Sequence, residues 1–236
     1  MLSRIVWTSF FGALGAAALI LTLAGSAHAI SVTSSGTWSN PTGTAANVNG
    51  VGTDTISWGN STGSGQSSWV FSGVSDNLGT DFEGDVFKLG TFTHDNNPIR
   101  NYNFTGADLS IDLQIVNGTT YTQSFDFTFG HLETPNRAPC NPAGSPECPD
   151  VVTIPLATAH ETLLISGQAY NLTIVGFSDS PGGSIVTQFI TDEKKSNRAM
   201  LYGSLSQSPI PEPSAALLFA VGALVVGRSL RRKALS

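Results

Sequence analysis

Two stretches near the middle of the chain alternate apolar and polar residues with the two-residue period of a β-strand. Leu109, Ile111, Leu113 and Ile115 are separated by Ser110, Asp112 and Gln114, and Phe125, Phe127 and Phe129 by Asp126 and Thr128. Successive side chains of a strand point to opposite faces, so each run turns one apolar face to a core and one polar face to water. Asn117-Gly118 and a short polar connection to Tyr121 lie between the runs, a composition that folds one strand back on the next as an antiparallel hairpin. Further strand-length runs occur at 32–38, 53–58, 68–74, 85–93, 151–155, 162–166, 169–177, 184–191 and 199–205. No internal segment carries the apolar stripe of an amphipathic helix. Many short strands separated by Gly, Asn and Pro predict an all-β fold, an antiparallel β-sandwich of jelly-roll type.

Three stretches interrupt this rhythm. Residues 40–52 are rich in Gly, Thr and Asn and residues 60–67 in Gly and Ser, and both read as exposed loops. Residues 135–149 hold five prolines and both cysteines, so this long connection needs a local restraint.

The two ends follow other patterns. Residues 1–29 have Arg4, an uncharged apolar run at 5–25, and then Ala27-His28-Ala29, a small-x-small site. That is a secretory signal peptide with cleavage expected after Ala29; the alternative is an uncleaved anchor, since the run approaches the length of a bilayer span. At the other end Pro211, Glu212 and Pro213 precede an apolar run at 215–227, and Arg228, Arg231, Arg232 and Lys233 follow it. As a helix this run is about 20 Å long, short of the roughly 30 Å hydrocarbon core. The basic residues hold the C-terminus in the cytoplasm and leave the bulk of the chain facing outward. The expected plan is a signal peptide at 1–29, a β ectodomain at 30–209 and a tail at 210–236, each flank containing a helix.

Pro-Glu-Pro, a short apolar helix and a terminal basic cluster, in that order, closely resemble the PEP-CTERM sorting signal of Gram-negative bacteria. The resemblance implies recognition by an exosortase, a membrane transpeptidase-like enzyme, and processing near Pro211, Glu212 and Pro213. It further implies transient residence in the inner membrane and then display at the cell surface or in an exopolysaccharide matrix. A plain tail anchor is the alternative. Thr37-Trp38, Ile56-Ser57-Trp58-Gly59, residues 68–73 and Leu89-Gly90-Thr91-Phe92-Thr93-His94-Asp95-Asn96-Asn97-Pro98-Ile99 are similar to the choice-of-anchor K domain, a family of bacterial surface domains. That similarity implies a secreted β-rich ectodomain and supplies no catalytic activity.

Composition narrows the function further. Charged residues make up 12% of the chain, about half the usual share, which is unlike a coiled coil or a helix-rich cytosolic enzyme. Apolar residues at 40% suffice for a core. The 30–210 region holds six basic and sixteen acidic residues, hence a net charge of −10. Phosphate neutralisation needs clustered Lys and Arg, so nucleic acid is not an expected partner.

Candidate chemistry is sparse. In an exported chain Cys140 and Cys148, with seven residues between them, predict a disulfide that stiffens the proline-rich loop by about 2.5 kcal/mol of loop entropy. Asp76, Asp81, Glu83, Asp85 and Asp95 are the densest acidic group. They offer the hard oxygens that Ca²⁺ requires, could supply a glycosidase's two carboxylates, or simply make turns. Trp38, Trp58 and Trp69 could form a stacking platform for a glycan or pack in the core. His94, His131 and His160 lack the spacing of a helical zinc motif, and no Gly-x-Ser-x-Gly elbow is present, so the sequence offers no catalytic residues. The reading is an exported structural or adhesive protein, with a lectin-like carbohydrate binder second and a polysaccharide hydrolase third.

Overall fold

The hairpin predicted at 109–129 is the longest regular feature of the fold. In the computed structural model, which describes residues 30–79, 84–134, 148–154 and 158–208, the chain forms fourteen strands among those residues. They are β1 (Ile30–Gly43), β2 (Thr55–Trp58), β3 (Asn60–Ser61), β4 (Ser67–Gly73), β5 (Ser75–Gly79), β6 (Val86–Asn96) and β7 (Ile99–Arg100). The second half contributes β8 (Phe104–Asn117), β9 (Thr119–Leu132), β10 (Asp150–Thr153), β11 (Thr158–Ile165), β12 (Gln168–Ser178), β13 (Gln188–Thr191) and β14 (Lys195–Gln207). The described residues contain no helix. The signal peptide with Ala27 and Ala29, the tail with Pro211, Glu212, Pro213, Arg228, Arg231, Arg232 and Lys233, and the helices expected there lie outside the described residues, as do Asp81, Glu83 and Cys140.

Two six-stranded antiparallel sheets carry the architecture, in the orders β13-β10-β9-β8-β1-β5 and β11-β12-β14-β6-β4-β2, with β3 and β7 as a small separate pair. The hairpin of β8 and β9 pairs Leu109 with Phe127 and Ile111 with Phe125, and it turns at Gly118, whose φ of +68° suits a residue without a Cβ. Inward faces of both sheets contribute to one cluster of buried apolar residues. Trp38 on β1 lies 5.3 Å from Trp69 on β4, and Phe129 on β9 stacks on Phe92 of β6 at 5.7 Å, each pair joining one sheet to the other.

Two glycines admit the ring of Phe71 between the sheets. A Cβ on Gly36 of β1 would lie 2.6 Å from Phe71 Cδ1, and one on Gly90 of β6 would lie 2.5 Å from Phe71 Cε2 and 2.8 Å from the Ser72 carbonyl oxygen. Nearby the chain crosses from one sheet to the other, with only Val74 between β4 and β5. Buried Ser34 of β1 fixes this crossing: its hydroxyl donates to the Leu89 carbonyl on β6 and accepts from Val74 N–H at 3.0 Å.

The strands depart from expectation where polar residues pair along their backbones. β1 runs into the expected 40–52 loop because Thr42 and Gly43 pair with Gly106 and Phe104 of β8. Within the expected 60–67 loop, Asn60 and Ser61 pair with Arg100 and Ile99. Ser75-Asp-Asn-Leu-Gly79 reads as a turn, yet it forms edge strand β5 against β1. Conversely, the run expected at 184–191 pairs with β10 only from Gln188, where it meets Thr153.

Candidate functional site

The three tryptophans are fully buried, which corrects the glycan-platform reading: no ring face of Trp38, Trp58 or Trp69 is open to stack on a sugar. They lie on inward positions of β1, β2 and β4, where removing large rings from water outweighs any surface role. The acidic group is divided as well. Asp76 and Asp85 are exposed and line one cleft together with Lys88 and Tyr202. Asp95 lies near the far end of β6, ten residues beyond Asp85, about 33 Å in an extended strand, and lines a different surface with Thr93, Ser196 and Arg198. Among the described members of the calcium set, Asp95 therefore lies apart from Asp76 and Asp85. Cys148 is buried and disulfide-bonded.

The structure brings together a group that sequence spacing did not join. The inward positions of β9 continue past Phe125, Phe127 and Phe129 to His131, and those of β6 continue past Phe92 to His94. Asp150 opens β10 from a buried position opposite Thr191 of β13. One donor atom from each of His94, His131 and Asp150 lies within 4.8 Å of the others. Glu133 and Glu193 adjoin them, since one oxygen of each lies within 4.8 Å of the other and of an Asp150 oxygen. Aromatic rings wall the group: Trp58 stacks over His94 at 5.7 Å and on Phe104 at 4.1 Å, and Trp69 meets His131 edge-on at 5.3 Å.

Hydrogen bonds fix which atoms face inward. His94 Nδ1 lies 2.8 Å from Thr191 Oγ1, whose own proton goes to the Asp150 carbonyl at 3.3 Å. Nδ1 of His94 is therefore the donor in that pair and Nε2 keeps a lone pair. His131 Nδ1 donates to the Phe104 carbonyl at 3.2 Å, which turns Nε2 toward the rest of the group. That Nε2 is 3.7 Å from Asp150 Oδ2. The other carboxylate oxygen, Oδ1, accepts from Thr134 N–H at 2.7 Å. Nε2 of both histidines and Oδ2 of Asp150 are buried without a hydrogen-bond partner.

Burial governs the charges here. It holds His94 well below its ordinary pKa, with His131 adding to the effect, so the imidazole is neutral. Burial first, and then the charge of Asp150, pushes Glu133 up to about 9, against an opposing 3.4 Å hydrogen bond from Trp58 Nε1. These atoms are buried, a setting that suits holding something in place. The pattern was accessible in part: His131 and His94 each fall two residues after an inward aromatic. Only the pairing of the sheets shows that they meet at Asp150.

Comparison with protein-family models gives no match, and comparison with curated proteins gives none.

Proposed function

We propose that the chain is an exported structural or adhesive module, a β-sandwich of jelly-roll type displayed at the surface or in the matrix of a Gram-negative bacterium. The observation that carries this reading is the order of the tail: Pro211-Glu212-Pro213, the apolar run at 215–227, then Arg228, Arg231, Arg232 and Lys233. The sandwich is supported by the ring contacts between the sheets and by repeated passage of the chain from one sheet to the other. Export is supported by the apolar run at 5–25 followed by Ala27-His28-Ala29 and by the disulfide at Cys148.

An exosortase-type enzyme is the sorting partner, and exopolysaccharide is the surrounding material. Burial of Trp38, Trp58 and Trp69 removes the main support for the lectin-like alternative. Labelling intact cells of a producing bacterium with a membrane-impermeant amine reagent tests display. The reading expects Lys88 and Lys195 to be modified on whole cells; labelling only after lysis would contradict it.

A further inference from the structure

We propose that His94, His131 and Asp150 form a structural binding site for a divalent transition-metal ion of the zinc class, which ties the two sheets together from inside the core. Three atoms able to ligate a metal, the Nε2 atoms of two histidines and Oδ2 of Asp150, are buried without a hydrogen-bond partner. The hydrogen bonds to Thr191 and the Phe104 carbonyl place the imidazole protons on the outer nitrogens. A buried polar atom left unmatched costs about 1–3 kcal/mol, and three residues with such atoms, grouped within 4.8 Å through one donor atom each, point to a missing partner.

A divalent cation fills that role. Donors about 2.0–2.1 Å from a tetrahedral ion sit about 3.4 Å apart, so the 3.7 Å between His131 Nε2 and Asp150 Oδ2 requires little contraction. Imidazole nitrogens with one carboxylate favour zinc-like ions over Ca²⁺ or Mg²⁺, which prefer all-oxygen sets. Donor support is also in place. Each histidine donates its other ring N–H to a fixed oxygen, which orients the ring and raises its basicity, and the Glu133 carboxyl stands nearby as a further oxygen donor. His94 comes from β6 of one sheet, whereas His131 and Asp150 come from β9 and β10 of the other. A bound ion would thus act as a cross-link between layers. Burial of all three ligand atoms suits a structural role for the ion.

The inference is independent of how the protein is exported. Purified full-length chain, stripped with chelator, is titrated with Zn²⁺ and separately with Co²⁺. The expected result is uptake of one ion per chain, visible d–d absorption of low-symmetry Co²⁺, and a rise in Tm of about 10 °C at a thousandfold excess over Kd. Ca²⁺ in the same titration should reproduce none of these. His94→Gln and Asp150→Asn should each weaken binding about a hundredfold or more. Should either variant not fold, the wild-type chain labelled with ¹⁵N-histidine decides: Zn²⁺ should shift the Nε2 resonances of two histidines while their Nδ1–H signals persist. Unchanged resonances, no stoichiometric uptake by the folded wild type, or undiminished binding by folded variants would overturn the proposal.

Discussion

Trp58 shows what a single residue does in this core. Its ring stacks on Phe104 and over His94, and its indole N–H reaches Glu133, so it seals the polar group from water and supplies one of its hydrogen bonds. Trp58→Ala should cost about 3–5 kcal/mol, the usual range for a buried tryptophan, measured by urea unfolding of the full chain; retention of wild-type stability would refute the packing role. Gly90 is sensitive in the opposite sense. A methyl group there meets the Phe71 ring and the Ser72 carbonyl, and Gly90→Ala should lower stability by about 1–3 kcal/mol through overpacking in the same assay. At this scale the sequence could list the tryptophans and histidines but not orient them. A tryptophan on a strand fits a core or a sugar platform equally well until its face is known. The polar string His94-Asp95-Asn96-Asn97 conceals that His94 and Asn96 continue the inward period of Phe92.

Among the elements, strands with strong alternation were legible, because a period of two assigns the same side chains to the core whatever the partner strand. That accounts for β8, β9 and their hairpin. Elements held by backbone pairing alone were not legible: β5 carries Asp76, Asn77 and Gly79, residues of turns, and becomes a strand only because the edge of β1 is open to it. The passage from β4 to β5 likewise rests on a contact remote in sequence, the buried hydroxyl of Ser34. Ser34→Ala removes the acceptor of Val74 N–H and the donor to the Leu89 carbonyl. It should destabilise the chain by about 1–3 kcal/mol, with hydrogen exchange fastest at Val74 and along β5. Uniform exchange across the protein would show that the hydroxyl does not anchor this crossing.

For the whole molecule, the two ends and the region between them answer different questions. The described residues between 30 and 208 form an all-β body whose polar core group supports rigidity, and the sequence over that range carries an excess of acidic residues. The ends belong to the sorting proposal: as a helix the apolar run at 215–227 would measure about 20 Å, too short to match the bilayer comfortably as a lasting anchor. On the proposed reading it would hold Pro211-Glu212-Pro213 at the outer membrane boundary, with proline keeping the segment extended and within reach of a membrane enzyme. The measurement that bears most directly on this account is mass spectrometry of the mature protein from a producing bacterium, with Glu212→Ala as the companion variant. The account predicts an N-terminus at Ile30, no peptide beyond about Ser214, and retention of the Glu212→Ala precursor in the inner membrane. Recovery of intact peptide ending at Ser236 from the surface fraction would contradict it.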